Sequence, residues 1–173
     1  MPAHCAPFLV AQFIFIWEFM RDPVTSKHTI QQLLDSMGFA ILATESAGQP
    51  HASLVAVTPF QGWRQLVFAT YRDTQKYRNL MQNRRVSVLV DGCKASRGGA
   101  QEGFVVTAVG HAQDIAAEHH LAALRAHLQR HPDLASFLDS PDCVLVGVAV
   151  DTYQVVRSID DVTWWTVDDL NTP

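Results

Sequence analysis

The sequence predicts a mainly β protein with flanking helices, whose antiparallel strands curve toward a barrel. Short β-branched and aromatic runs recur along the chain, with brief turns between the first three. One short helical pattern separates two apolar strands near residues 74–85, and a longer one precedes the last strands. Closely spaced strands with tight turns favour an antiparallel meander, which can close on itself as a barrel.

The overall composition is that of one soluble globular domain. Of the 173 residues, 48% are hydrophobic and 17% are charged, so the chain can build a core. A net charge of −4 argues against a nucleic-acid-binding surface, which needs a basic excess. The three cysteines are widely spaced and form no C-x-x-C pair, which favours the reducing cytoplasm.

Residues 1–19 are unlike the rest of the chain, because most of an apolar and aromatic run, PFLVAQFIFIWEFM, lies in them. The run is too short for a membrane span, Glu18 interrupts it, and it lacks the basic start of a signal peptide. Three interpretations remain: an arm on a partner subunit, an interfacial helix, or residues that do not belong to the natural chain. The last is preferred, so we expect a start at Met20 and a single domain at residues 20–173.

The first elements follow from the apolar pattern and the turn residues. A helix is predicted at residues 29–37, capped by Thr25 or Ser26 and ended by Gly38. Its inner face carries four apolar residues, Ile30, Leu33, Leu34 and Met37. Three strands joined by short turns are predicted next, at residues 39–44, 51–57 and 64–70.

A second helix is predicted directly after the third strand. Asp73 or Thr74 can cap it, because a short side-chain oxygen accepts from the free N–H groups of the first turn. Leu80 and Met81 form its apolar stripe. A buried strand is expected at residues 86–90, where the chain is apolar and β-branched.

The second half of the chain is predicted from the same signals. A Gly-rich loop at residues 92–103 leads into a strand at 104–113, in which Gly110 indicates a bulge or a close approach. A helix at residues 115–131 ends before Pro132. Its inner face is expected to carry Ile115, Leu121, Leu124 and Leu128. The last elements are two strands and a tail, at residues 143–150, 153–157 and 160–170.

The eight histidines do not indicate a metal site. His120 and His127 share a helix face but lie two turns apart, about 10 Å by helical rise, which is too far for one ion. His127 and His131 are close enough to pair, but no acidic or Cys partner lies at a recognisable spacing. We therefore predict no metal site and exposed, structurally ordinary histidines.

The most informative feature is the start of the second helix. Thr70, Thr74 and Lys76 place two hydroxyls and one cation around the free N–H groups of the first helical turn. A helix N-terminus with these side chains favours a dianionic phosphate. The structural alternative is a capped surface helix with an ordinary solvated lysine, since capping residues are common.

This stretch resembles the flavin-binding segment of the pyridoxamine 5′-phosphate oxidase-like family, the FMN-binding split β-barrels. The matching motifs are FAT, TQK, NL and NRRV, at residues 68–70, 74–76, 79–80 and 83–86. Arg84 stands where the family usually has proline. The resemblance extends over about residues 29–157, and its motifs indicate the fold and a phosphate site but not the substrate.

The resemblance implies a homodimer that holds two FMN molecules at its subunit interface. The cofactor-binding residues that it implies on one subunit are Ser53, Val55, Ala56, Val57, Thr70, Thr74, Gln75 and Lys76. The hydroxyls and Lys76 would hold the phosphate, while the backbone of residues 55–57 would line the isoalloxazine edge. Gln75 stands where arginine is frequent, which makes this phosphate pocket less cationic. Trp164 or Trp165 would cover the flavin or seal the dimer.

One departure from the family concerns the substrate. Pyridoxamine phosphate oxidases proper end in an Arg-x-His that grips the substrate, and the tail RSIDDVTWWTVDDL has no such pattern. The implied function is therefore an FMN-dependent oxidoreductase with an unassigned small-molecule redox substrate, and not a vitamin B6 oxidase. Two alternatives stay open. One is a non-catalytic flavin- or haem-binding protein, with His51 or His111 as axial ligand, and the other is a deazaflavin-dependent reductase.

Overall fold

The computed structural model describes residues 23–92, 94–95 and 101–171. The predicted N-terminal extension at residues 1–19 and the predicted start at Met20 lie outside the described residues. The helices are α1 Pro23–Ser36, α2 Gln75–Gln82, α3 Ala117–Arg130, α4 Ala135–Leu138 and α5 Val167–Asn171, with a 3-10 turn at Pro132–Leu134. The strands are β1 Phe39–Ser46, β2 Gln49–Ala56, β3 Thr58–Phe60, β4 Gln65–Tyr71, β5 Arg85–Asp91, β6 Lys94–Ala95, β7 Gln101–Glu102, β8 Val105–Asp114, β9 Cys143–Ser158 and β10 Asp161–Thr166.

Eight of these strands form one antiparallel sheet in the order β2-β1-β5-β8-β9-β4-β3, with β10 paired to the second half of β9. The other two, β6 and β7, form a short ribbon within the segment predicted as a loop. The predicted meander is wrong, because β4 pairs with β9 and β3 instead of β2. Pairing between strands distant in the chain leaves no trace in the local apolar pattern.

The sheet curls into a half-barrel. Strands β2 and β3 stand at opposite ends of the strand order, yet only Val57 separates them in the chain. The Cα atoms on either side of Val57 are at most about 7 Å apart, so the two edges of the sheet must come together. Cα atoms of β2 and β4 accordingly approach within 8 Å. The predicted fold class, an antiparallel split barrel with flanking helices, is confirmed.

The core lies inside the curl and beneath α1 and α2. Alternate residues of the central strands point into it, as the two-residue period of a strand requires. The predicted inner face of α1 is confirmed, since Ile30, Leu33 and Leu34 are buried. Leu80 of α2 is also buried, but its predicted neighbour Met81 is 54% exposed. The described residues include no helix that is long and apolar enough to cross a membrane.

The two predicted helix starts have different outcomes. Thr74 caps α2, as predicted, because its side chain accepts from the N–H of Tyr77. Helix α1 begins at Pro23, earlier than predicted, so the predicted capping positions Thr25 and Ser26 lie within it. Proline is well tolerated in the first turn, where its missing N–H would have no intrahelical partner.

Strand β9 is one long strand where two strands were predicted. The predicted break is a β-bulge, because Val109 pairs with Thr152 and Gly110 pairs with Val150, which leaves Asp151 over. A Cβ atom on Gly110 would lie 2.0 Å from the carbonyl oxygen of Ala149. The close approach predicted at Gly110 is therefore confirmed.

Helix α3 faces the sheet with side chains that the apolar pattern missed. Leu121, predicted on the inner face, is 56% exposed, whereas His127 is fully buried. His131, which ends the helix, is also buried. The prediction of exposed histidines is thus correct for His119 and His120 and wrong for His127 and His131. The described residues contain no group of three His, Cys, Asp or Glu residues that could hold a metal ion.

The predicted tail forms β10 and α5. Strand β10 pairs with β9 and places Trp164 opposite Gln154 and Trp165 opposite Tyr153. Two apolar residues of α5, Val167 and Leu170, are buried in the main core. The segment predicted as a tail is therefore an integral part of the fold.

Candidate cofactor-binding site

The predicted phosphate site forms where β4 passes into α2. The hydroxyls of Thr70 and Thr74 lie 2.9 Å apart. Thr74 also donates to the carbonyl oxygen of Tyr71 at 2.9 Å and accepts from the N–H of Tyr77 at 3.4 Å. Since Thr74 has only one proton to give, Thr70 donates to Thr74 in this arrangement. The structure thus brings both predicted hydroxyls to the N-terminus of α2.

Three cations surround this helix start. Lys76, in the first turn, forms no ion pair or hydrogen bond with the described residues. Arg72 lies over the ring of Tyr77, with its guanidinium carbon 5.9 Å from the ring centroid. Arg78 reaches back and donates to the side-chain oxygen of Gln75 at 3.0 Å and to the backbone oxygen of Asp73.

The cations at Arg72 and Arg78 were missed by the sequence analysis, which expected Gln75 to leave the pocket less cationic. Arg78 restores a positive charge beside Gln75, because residues three apart on a helix are neighbours. That spacing was visible in the sequence and could have identified Arg78. The position of Arg72 depends on the tertiary structure, since it stacks across the turn that precedes the helix.

Ser53 lies on β2, on the face that points into the half-barrel together with Val55. Its hydroxyl oxygen is buried and has no hydrogen-bond partner among the described residues. Strand β2 approaches both α2 and β4, with Cα atoms within 8 Å. A buried hydroxyl without a partner is energetically unfavourable, so Ser53 is available for a ligand at this end of the barrel.

A buried amide network holds α2 against β1. Asn79 donates to the hydroxyl of Thr44 at 3.0 Å, and Gln75 donates to the side-chain oxygen of Asn79 at 2.7 Å. Asn79 and Thr44 are both almost completely buried. Asn79 is part of the NL motif, but no local pattern in the sequence indicates its bond to Thr44 of β1. Their bonds fix the orientation of α2, and with it the position of the first turn.

Only one of the three predicted backbone groups at residues 55–57 is free for a ligand. The N–H of Val57 donates to Gly38 at 3.0 Å, and its carbonyl oxygen lies 3.0 Å from Nε2 of His131. Val55 shares the strand parity of Val57, so its backbone groups also face β1. The backbone of Ala56 points away from β1, at the edge of the sheet.

The predicted tryptophans lie far from this site within one chain. Thr70 pairs with Val144 of β9, whereas Trp164 pairs with Gln154. Val144 and Gln154 are ten residues apart, which corresponds to roughly 30 Å along the strand. Trp164 is 60% exposed, and Trp165 packs against the core. Neither tryptophan can cover a ligand at Thr70 and Thr74 of its own chain.

The two histidines considered as haem ligands are also separated. His51 pairs with Thr44, which points into the half-barrel, whereas His111 pairs with Arg85, which points outward. Nδ1 of His111 lies 3.7 Å from a carboxylate oxygen of Asp151. The two rings face opposite sides of the sheet, so they cannot bind one iron within one chain.

A groove of about 740 Å³ lies on the outer face of the sheet. Its polar lining includes Glu45, Arg85, His111 and Asp151. Next to it, the outer face is apolar: Ile41 and Leu54 pair directly across β1 and β2 and are 44% and 69% exposed. The groove contains none of the predicted cofactor-binding residues.

Comparisons with solved structures identify the same fold. A heme binding protein from Mycobacterium smegmatis matches with a TM-score of 0.71 and 22% identity, over 86% of this chain and 60% of that protein. A Clostridium acetobutylicum protein related to general stress protein 26, of the pyridoxinephosphate oxidase family, matches with a TM-score of 0.64 and 14% identity, over 86% and 99%. Campylobacter jejuni ChuZ matches with a TM-score of 0.70 and 11% identity, over 84% and 61%.

The chain therefore spans about 60% of the length of the Mycobacterium smegmatis and Campylobacter jejuni proteins. A search of curated protein sequences found no match. The family model of pyridoxamine 5′-phosphate oxidase matches residues 26–157. This range is most of the chain, and it includes β1 to β8 and, between β4 and β5, the candidate site at the start of α2. The chain belongs to the pyridoxamine 5′-phosphate oxidase family.

Proposed function

We propose that the chain is an FMN-binding flavoprotein that acts as a homodimeric oxidoreductase on a small-molecule redox substrate. The observation that carries the proposal is the site at the start of α2. The hydroxyls of Thr70 and Thr74 lie there, and Lys76 of the first helical turn forms no ion pair or hydrogen bond with the described residues. The buried hydroxyl of Ser53, which has no partner among the described residues, lies on the strand that approaches them.

The chemistry of this site fits the phosphate of FMN. A phosphate carries up to two negative charges and accepts several hydrogen bonds, and Lys76 and Arg78 supply cations beside the free N–H groups of the first helical turn. The hydroxyl of Ser53 can turn its proton toward a phosphate oxygen, and Thr70 and Thr74 can do so by giving up their bonds to each other and to Tyr71.

The protein would bind and orient the cofactor, and FMN would supply the hydride or electron transfer when bound. Ser53, Thr70, Thr74 and Lys76 would anchor its phosphate. The free backbone edge at Ala56 would offer one N–H and one carbonyl to a ring system lying along β2.

Two observations on one chain support the proposed homodimer. Trp164 is large, 60% exposed and roughly 30 Å along the sheet from Thr70, so it can approach a cofactor site only in a second copy. The outer sheet face also exposes Phe39, Ile41 and Leu54, and an exposed apolar patch of this kind is typical of a protein interface.

The substrate is not expected to be a vitamin B6 phosphate. The C-terminal part has no Arg-x-His, and the one arginine in the tail, Arg157, lies 3.6 Å from the carboxylate of Asp161. That arginine is therefore already partnered by an acid on the neighbouring strand.

Haem binding is the second candidate, because the similar Mycobacterium smegmatis structure is that of a heme binding protein. His51 is the better axial ligand in this chain, since it is half-buried on the inner face of β2. Deazaflavin ranks below FMN. It needs a longer basic groove, and the cations found here cluster at the helix start.

The first measurement is the visible absorption spectrum of the purified protein, together with the mass of whatever heat releases. A flavin spectrum and the mass of FMN would support the proposal, and a larger mass with a shifted spectrum would indicate deazaflavin. A Soret band would favour haem instead. A colourless protein that does not bind added FMN, in a fluorescence titration that detects FMN binding by a known flavoprotein, would refute flavin binding.

A further inference from the structure

A chain of four hydrogen bonds runs from the start of α2, through β1, to β2. Arg78 donates to Gln75 at 3.0 Å, and Gln75 donates to Asn79 at 2.7 Å. Asn79 donates to the hydroxyl of Thr44 at 3.0 Å, and that hydroxyl donates to the carbonyl oxygen of His51 at 3.4 Å. Thr44 and Asn79, in the middle of the chain, are almost completely buried. Buried polar side chains therefore connect α2 with β2, the two elements that carry the candidate phosphate site.

The two ends of this chain of bonds determine the direction of every bond in it. A guanidinium only donates, and a backbone carbonyl only accepts. Thr44 must therefore give its single proton to His51, which leaves its lone pairs for the amide nitrogen of Asn79. The oxygen of Asn79 is then left for the nitrogen of Gln75, and the oxygen of Gln75 for Arg78. Neither amide can turn over without placing like groups against each other, so one arrangement satisfies all the groups.

At the α2 end, Gln75 acts on the site through Arg78. The oxygen of its amide accepts from Arg78, and the nitrogen donates to Asn79. Arg78 also donates to the backbone oxygen of Asp73, which directly precedes the cap Thr74. These bonds hold the guanidinium beside the first turn of α2, where the helix dipole disfavours a cation. A phosphate bound at this helix start would offset that unfavourable interaction.

At the β2 end, the chain of bonds holds the strand that carries Ser53. His51 and Ser53 are two residues apart on β2, so their side chains lie on the same face of the strand. The hydroxyl of Ser53 is buried and has no partner among the described residues. A ligand that contacts both α2 and Ser53 needs a fixed separation between them, because binding groups must be held within about 0.5 Å of their productive positions.

The C-terminal end of α2 is attached to β1 separately. Ser46 donates to the side-chain oxygen of Gln82, and Asn83 donates to the carboxylate of Glu45. Leu80 is buried in the main core. Loss of the buried chain of bonds should therefore leave α2 attached to the sheet and should change mainly the position of its first turn.

We propose that Thr44 and Asn79 are positioning residues that make the site selective for FMN over riboflavin. They keep Lys76 and Arg78 of α2 and the hydroxyl of Ser53 at the separation at which one phosphate contacts both elements. The inference rests on the proposed function, because it concerns the phosphate of the proposed cofactor. Riboflavin has the same ring system without the phosphate, so its affinity does not depend on this arrangement.

The test measures the affinities for FMN and riboflavin by fluorescence titration and takes their ratio. Thr44→Val removes the hydroxyl and keeps the shape of the side chain, whereas Thr44→Ser keeps the hydroxyl. Gln75→Met interrupts the chain of bonds at its exposed end. Thr58→Val is the matched control, because it also removes a buried threonine hydroxyl, one that is bonded to His127 of α3.

We expect Thr44→Val to lower the ratio of the FMN affinity to the riboflavin affinity about tenfold, which is the effect of about one charge-assisted bond. Gln75→Met should lower the ratio by a similar factor. The double variant should lose no more than either single variant, because both substitutions act through the same bonds. Thr44→Ser should keep most of the ratio, and Thr58→Val should leave the ratio unchanged.

A folded Thr44→Val protein with the wild-type ratio would overturn the proposal, and so would losses that add in the double variant. If riboflavin binds too weakly to be measured, the FMN affinity of Thr44→Val relative to that of Thr58→Val decides in the same way. If Thr44→Val does not fold, Gln75→Met replaces it, and a wild-type ratio in that variant would equally overturn the proposal.

A second measurement separates the positioning role from the proposed function. If no protein binds FMN, the proposed function fails, and amide exchange of residues 77–82 is compared by mass spectrometry in the cofactor-free proteins. Faster exchange in Thr44→Val than in Thr44→Ser and Thr58→Val would support the positioning role of Thr44. Equal exchange in the three variants would refute it.

Discussion

At the scale of single residues, the candidate cofactor site combines polar groups that form hydrogen bonds within the chain with polar groups that form none with the described residues. The hydroxyls of Thr70 and Thr74 bond to each other and to the backbone. Lys76 and Ser53 have no such partner among the described residues. In the cofactor-free protein, the buried hydroxyl of Ser53 lowers the stability, whereas Lys76 contributes nothing to it. A ligand would therefore change the energetic contribution of these two groups most.

Lys76→Ala is expected to weaken FMN binding at least tenfold. A charge-assisted bond to phosphate contributes about 1.5–3 kcal/mol, and Lys76 has no partner among the described residues whose loss would offset this effect. A fluorescence titration measures it, with Arg125→Ala as control, since Arg125 is an exposed cation on α3. Equal losses in both variants would show that only the net charge of the protein matters.

Ser53→Ala is expected to change stability and affinity in opposite directions. Removing a buried hydroxyl that lacks a partner should raise the free energy of unfolding of the cofactor-free protein by about 1 kcal/mol. The same change removes one donor to the phosphate and should weaken FMN binding. Urea unfolding and titration measure the two effects. A loss of stability would mean that the hydroxyl is satisfied within the fold.

At the scale of elements, the β8–β9 pair leaves no room for a side chain at its bulge. The bulge at Asp151 brings the backbone of Ala149 onto Gly110, where no Cβ atom fits. The bulged residue, Asp151, faces outward and lies beside His111. A single glycine thus allows a strand of 16 residues to bend around the half-barrel.

Gly110→Ala is expected to destabilise the protein by about 2–3 kcal/mol or to prevent folding, as overpacking against backbone does. Gly48→Ala is the matched control. Gly48 has a φ of +79°, but nothing lies within 4 Å of the added Cβ, so only the cost of its left-handed backbone, about 1 kcal/mol, is expected. Thermal or urea unfolding gives both values, and equal losses would contradict the close approach.

At the scale of the whole molecule, the half-barrel leaves one apolar sheet face uncovered and one pair of tryptophans far from the helix start. Phe39, Ile41 and Leu54 form the exposed patch on β1 and β2. A second copy packed on this face would bury the patch and could bring Trp164 to the partner's cofactor. Dimerisation and cofactor binding would then be linked.

Leu54→Glu is expected to convert the proposed dimer into a monomer and to reduce flavin binding with it. A charge on Leu54 would be buried without a partner at the interface. Light scattering after size exclusion measures the mass. Leu121→Glu is the control, because Leu121 is 56% exposed on α3, away from β2. A wild type that is monomeric at high concentration would contradict the proposed dimer.

The pH dependence of stability should report the burial of His127. Its pKa is lowered from 6.5 to about 4 in the folded protein, so the unfolded chain binds the proton more tightly. The contribution of His127 is therefore complete above about pH 6.5 and is lost as the pH falls toward 4, by about 3 kcal/mol in total. Urea unfolding across this range measures it. His127→Gln should flatten the curve, and an unchanged slope would refute the assignment.

The sequence by itself determined the fold class, most of the helices and strands, and the residues at the start of the candidate cofactor site. These follow from neighbours in the chain: the two-residue period of the strands, the cap at Thr74, and the short motif around Lys76. The glycine at position 110 was also identified locally, because a glycine inside a strand indicates a close approach.

Only the tertiary structure decided which strands pair, which side chains of α3 are buried, and where the tryptophans lie. The predicted meander was wrong because β4 pairs with β9, more than seventy residues away in the chain. His127 and His131 were expected at the surface, but Thr58 and the carbonyl of Val57 give them partners that no local pattern shows. Burial of a polar residue depends on partners that the fold brings from distant positions, and those partners exist only once the sheet has curled.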